Sequence, residues 1–201
     1  MFKIKKILKK FKLRDYPSPS WENILSNHKK DFEILKKEAN GKKILLSTST
    51  GGHHFCSHFE SLLAFALTYY GSKVEVLLCD GLLPGCMMST SNIINEKEFA
   101  NNGPKKICNG CLDAGKFAFD GLGLKLNYYS EFINSHEIEE ISNLINKMSY
   151  EELKIFNHEK INIGEHALAG ALRYYAVGEL DYEDKKIEIL RRFVKAGFIT
   201  K

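Results

Sequence analysis

Apolar and polar positions along the chain fall into two periodicities and one stretch without any. Two short, nearly continuous apolar runs, 42–47 (KKILLS) and 73–80 (KVEVLLCD), predict strands, and the second suits a parallel strand covered on both faces. A third strand is expected over 124–129 (LKLNYY). Between the first two, 54–70 carries Phe55, Phe59, Leu62, Leu63, Phe65 and Ala66 at helical spacing. This predicts a helix buried on that side and stopped by Gly71. Strand, glycine turn, helix and strand make a βαβ unit, whose crossover is expected to be right-handed. Helices are also expected over 21–39, with Ser20 as N-cap and Gly41 beyond the end, and over 136–148, 150–158, 164–177 and 183–196. Gly178 is the expected C-cap of the third of these last four, and Asp181 lies near the N-cap of the fourth. The stretch 81–115 holds no sustained period and predicts a cysteine-bearing loop insertion, followed by a short helix over 116–121. The expected fold class is α/β: a Rossmann-like parallel sheet in a domain over 21–201, with a helical part over 136–201.

Charge changes the picture only at the N-terminus. Seven of the 29 basic residues, Lys3, Lys5, Lys6, Lys9, Lys10, Lys12 and Arg14, lie in the first fourteen positions beside none of the 25 acidic ones. The formal net charge of +4 therefore belongs to this arm, and the remainder is mildly acidic. With no basic stripe and no nucleic-acid module in the body, nucleic acid is not an expected partner. Phe2, Ile4, Ile7, Leu8 and Phe11 recur at roughly helical spacing among the lysines. Such a helix suits an anionic membrane surface; a solvated terminus is the alternative. Asp15–Ser20 (DYPSPS) reads as a linker, so 1–20 form an arm and linker. No apolar run is long enough to span a bilayer, and the lysines interrupt any signal-peptide core. The expected location is cytoplasmic, peripheral to the inner membrane face if the arm binds lipid.

The turn Thr50-Gly51-Gly52-His53-His54 stands between the first strand and the first long helix. Free N–H groups at a helix start bind phosphate or carboxylate when glycines let the ligand approach, so Thr50, Gly51, Gly52 and His54 are candidate phosphate contacts. It is not a P-loop, because Gly-His-His stands where Gly-Lys-Ser/Thr is required. Nor is it a dinucleotide fingerprint, because Phe55 replaces the third glycine. His53 at the mouth of a parallel sheet is a candidate general base, and capping the turn is its alternative. Asp80, ending the second strand, could orient His53, meet a sugar hydroxyl or cap the next turn. His54 and His58, one turn apart, could share a metal or lie on a solvated or packed face. Arg173, Tyr174 and Tyr175 read as packing or lid residues, and Arg191-Arg192 as a phosphate contact or a solvated helix end. Glu165-His166 matches no metalloprotease motif.

Five cysteines in a chain without an export signal point to a reducing compartment, where spaced thiols bind metal or do chemistry more often than they form disulfides. Cys108-x-x-Cys111 has the spacing of half a metal knuckle, and Cys86 and Cys79 could complete a four-thiolate set for zinc or an iron–sulfur cluster. Cys79 sits within an apolar strand, where a free buried thiol is ordinary. A redox pair at Cys108 and Cys111 is the alternative, without the thioredoxin-like context. Cys56 is expected in the core.

Thr50-Gly51-Gly52-His53 resembles the Thr-Gly-Gly-His turn of GT-B glycosyltransferases, among them those that add N-acetylglucosamine to the lipid-linked peptidoglycan precursor. More broadly, "LLSTSTGGHHFCSHFESLLAFALTYYGSKVEVLLCDGLLPGCM", "CNGC", "GLGLKLNYYSEF" and "GALRYYAVGELDYED" look like the N-terminal half of bacterial surface-polysaccharide glycosyltransferases, over roughly 42–196. The resemblance implies an acceptor-binding domain in polysaccharide or lipopolysaccharide assembly at the cell envelope. Its substrates would be a nucleotide sugar and a lipid-linked or glycan acceptor, with His53 catalytic. In that family the sugar nucleotide sits mainly on a second, C-terminal domain. The donor-binding half is therefore expected in a longer form of this chain or in a partner chain. The competing expectation is a non-catalytic binding module stabilised by metal; a thiol redox protein is the third.

Overall fold

A computed structural model describes residues 20–48 and 50–201. The basic arm and its membrane reading lie outside the described residues, as does Ser49, just before the glycine turn. Three parallel strands form the sheet: β1 (Lys43–Thr48), β2 (Lys73–Leu78) and β3 (Lys125–Tyr128). They lie in the order β1-β2-β3, with Thr48 level with Leu78 and Leu78 level with Tyr128. Val74, Val76 and Leu78 of the central strand are buried, as its apolar run requires. β1 is an edge, and its Leu45 is exposed.

Helices α1 (Trp21–Ile24), α2 (Lys29–Glu38), α3 (His54–Tyr69), α4 (Glu96–Asn102) and α5 (Lys105–Phe119) accompany the sheet. The single helix expected over 21–39 is thus two. Trp21 and Phe32 of the pair stack with Phe65 at ring-centroid distances of 5.0 and 5.3 Å. These rings join Val76, Leu78, Phe119 and Leu122 in one core. After β3, a 3-10 turn (Tyr129–Glu131) leads into α6 (Ser135–Asn146), α7 (Tyr150–Lys154), α8 (Ile163–Tyr175) and α9 (Asp184–Ile199). These four helices and α4 enclose a second core built on Phe99, Ile145, Leu153, Tyr174, Ile189 and Val194. α6 and α7 each start with a complete capping box, from Asn134 with Glu137 and from Ser149 with Glu152. Ala176, in the left-handed region at φ 57°, ends α8 in place of the expected Gly178, and α9 starts from Glu183, two residues beyond Asp181.

Two expectations fail for packing reasons. The stretch 81–115 is not a loop throughout, because α4 and most of α5 lie in it. Cys108 and Cys111 therefore stand on a helix, and the short helix expected over 116–121 is the last turn of α5. Gly115 within that helix is a contact point: a Cβ there would lie 3.0 Å from the Gly51 Cα. The second failure is the buried face of α3. Ser57, Ser61, Ala64 and Thr68 face inward, while Phe55, Phe59, Leu62 and Leu63 are exposed. α3 packs against α5, and Ser61 lies beneath Trp21, whose indole N–H donates to its hydroxyl at 3.1 Å. The inward hydroxyls bond carbonyls of α3 itself, Ser61 to His58 and Thr68 to Ala64, so burying them leaves no donor unpaired. Cys56, expected in the core, is exposed on the same helix.

Candidate functional site

The chemistry-bearing residues gather where the parallel strands end. β1 ends at Thr48, two residues before the glycine turn. β2 runs out into Cys79 and Asp80, and β3 into Tyr129 and Ser130. In open parallel sheets this carboxyl edge is where ligands bind. Ser130 donates its hydroxyl to Asp80 Oδ2. Asp80 Oδ1 and Thr48 Oγ1 are both buried and have no partner among the described residues. Buried polar atoms are normally paired, so two orphans at neighbouring strand ends mark a place that can receive a donor and an acceptor. Ser130 was not singled out from the sequence. Its signal is positional, because it lies just past the third predicted strand as Asp80 lies just past the second.

The glycine turn serves packing first. A Cβ on Gly51 would lie 2.5 Å from the Gly115 Cα and 2.6 Å from the Cys111 carbonyl oxygen. The Gly52 N–H, free for an anion in the sequence reading, donates to Cys111 Sγ at 3.1 Å. Thr50 makes a long hydroxyl contact to Met87 Sδ, 3.8 Å. His53 is the N-cap of α3: its Nδ1 accepts the Cys56 N–H over 3.4 Å. An accepting Nδ1 leaves the proton of a neutral ring on Nε2, so in this arrangement the ring is a donor at its far end. His54 is exposed, with its ring 6.3 Å from that of His58. Burial, and then the neighbouring His54, hold His58 below the usual imidazole range.

On the other side of the turn stand the thiols. Cys79, Cys86, Cys108 and Cys111 line one cavity of about 10 Å³, closed by Leu83 and Ile107. All five cysteines are free thiols. Gly81, at φ 91°, turns the chain after Asp80 and passes close to Cys108, where a Cβ would meet Cys108 Cβ at 3.3 Å. Cys86 is anchored from the helical half: Arg173 donates to the carbonyls of Cys86 and Ser89, both at 3.3 Å. Arg173 therefore braces this segment, and Tyr174 and Tyr175 bond Ile94 O and Glu96 beside it. Arg192 meets carbonyls of Ala100 and Asn101 at 2.7–2.9 Å, closing the end of α4 rather than standing solvated. A wider cleft, about 590 Å³, lies between α2 and the segment leading into β3, where the strands begin. It is far less rich in reactive groups than the carboxyl edge.

Among the described residues no helix is long and apolar enough to cross a membrane. Comparison of the chain with protein-family models, with curated proteins and with solved structures finds no match in any of the three.

Proposed function

We propose that this chain is the acceptor-side half of a GT-B type glycosyltransferase, moving a sugar from a nucleotide sugar to a lipid-linked or glycan hydroxyl in surface-polysaccharide assembly. The observation that supports this reading is the pair of orphaned buried oxygens, Asp80 Oδ1 and Thr48 Oγ1, at the carboxyl ends of adjacent parallel strands beside the Thr50–His53 turn. A sugar or acceptor hydroxyl donating to Asp80 Oδ1 would satisfy the first, and Ser130 holds that carboxylate in place. Once His53 releases its cap, a bond already long at 3.4 Å, its free Nδ1 would take the acceptor proton, leaving an imidazolium with Nε2 still protonated. Thr50 and His54 remain available to a phosphate, whereas Gly52 contributes by shaping the turn.

One observation favours the second reading, a non-catalytic binding module. The polar groups of the turn are already engaged, Gly52 with Cys111 and His53 with the start of α3. A single substitution separates the two. His53→Asn keeps a side chain that caps helices well but removes the base. If the chain transfers sugar, supplied with nucleotide sugars, a polyprenyl-phosphate-linked acceptor and a donor-binding half, His53→Asn should lower turnover by about 100-fold or more. Turnover within a few-fold of wild type would restrict His53 to capping.

A further inference from the structure

We propose that Cys79, Cys86, Cys108 and Cys111 form a tetrathiolate site for one divalent ion of the zinc class, and that this ion holds the glycine turn in place through Cys111. The inference stands whether or not the chain transfers sugar.

Four thiols from three separate stretches meet at one small cavity: the end of β2, the segment after it, and one face of α5, where positions i and i+3 lie side by side. Four sulfur ligands are the donor set of a structural zinc site. A cavity of about 10 Å³ is roughly the room one water needs, which suits a single ion and not a multi-iron cluster. Backbone N–H groups already point at two of the sulfurs, Gly52 at Cys111 and Met88 at Cys86 (3.4 Å), as outer donors to a thiolate would. Four thiolates this close need a cation among them.

Among the described residues no three His, Cys, Asp or Glu side chains already stand in a metal-holding arrangement. The sulfurs must therefore turn inward, Cys108 giving up its 3.3 Å bond to Pro104 O. Each cysteine has a single side-chain torsion with staggered alternatives, so the adjustment is local. On binding, the four S–H groups release four protons to solvent and four S–metal bonds form, with no change of oxidation state. The centre then carries two net negative charges, which Arg173 beside Cys86 and Lys105 beside Cys108 offset.

The test is a Co²⁺ titration of the chelator-treated, reduced full chain, followed by competition with Zn²⁺. The expected result is one ion per chain, with the intense visible bands and sulfur-to-metal charge transfer of a tetrahedral tetrathiolate. Adding Zn²⁺ should bleach these bands and slow hydrogen exchange at the Gly52 amide. Cys79→Ser, Cys86→Ser, Cys108→Ser and Cys111→Ser should each weaken binding by more than about 100-fold, beyond the loss typical of an outer-shell change. Cys56→Ser, on an exposed thiol, should bind as wild type. The titration of the unaltered chain decides the matter even if a serine variant fails to fold. No tight Co²⁺ binding, fewer than four sulfurs in the spectrum, or iron with acid-labile sulfide in the freshly purified chain would each overturn the proposal.

Discussion

Tyr174, in the helical half, stacks on Phe99 at 4.7 Å, buries its ring completely and donates its hydroxyl to Ile94 O. Phe55, in the sheet half, is 80% exposed on the helix that follows the glycine turn. The same residue class is used in opposite ways. The helical half closes its own core and supplies braces, Arg173 and Arg192, to the segments that carry Cys86 and α4. In the sheet half, by contrast, one strand edge and the outer face of α3 are left to solvent, while its glycines are spent on close approach to the thiol-bearing helix. Stability is concentrated in one half and chemistry at the edge of the other.

The strongest way to break this contrast is to empty the helical core. Phe99→Ala should cost about 3–5 kcal/mol, read from the denaturant midpoint. A cost near that of a surface change would mean the second core is not what holds the molecule. Next is Gly51→Ala, whose methyl would press on Gly115 and the Cys111 carbonyl; about 1–3 kcal/mol is expected by the same measurement. The paired change Phe55→Ser with Phe59→Ser should move stability by no more than about 0.5 kcal/mol per site. It should also reduce binding of a hydrophobic dye, and a large loss of stability would show that the outer face of α3 is covered after all.

The smallest expected effect is on pH dependence. His58 titrates below its unfolded value because burial and His54 disfavour the imidazolium, so the unfolded chain binds the proton more readily. Its contribution to stability is complete above about pH 6.5 and is lost as the pH falls below that. His58→Gln should therefore flatten the fall in denaturant midpoint between about pH 7 and 5; an unchanged slope would remove His58 as a cause.

The three strands, the βαβ unit and the helical C-terminal part were legible because each carries a periodicity that burial alone enforces. The inner face of α3 was not. Hydropathy points to Phe55 and Leu62, whereas the structure buries Ser57 and Ser61, the latter beneath Trp21, whose indole N–H donates to its hydroxyl. At the site, Cys108 and Cys111 were legible from spacing and His53 from the turn. Cys79 was a candidate from the sequence as well, but an ordinary buried thiol of an apolar strand read equally well there; its place beside α5 depends on the course of β2, which no local spacing records. Gly52 read as room for a ligand and turned out to be room for a sulfur.

Arg192 has a consequence for the order in which the molecule matures. Its guanidinium reaches back 92 positions to Ala100, and the backbone beside it, at Arg192 and Phe193, is where Gly85 packs, one residue before Cys86. Synthesis runs from the N-terminus, so β2, Cys86 and α5 all leave the ribosome before α9 exists. Throughout that interval the segment that carries Cys86 lacks the helix on which Gly85 packs. In a living cell the thiols of the newborn chain are therefore less firmly held during translation than once α9 has docked.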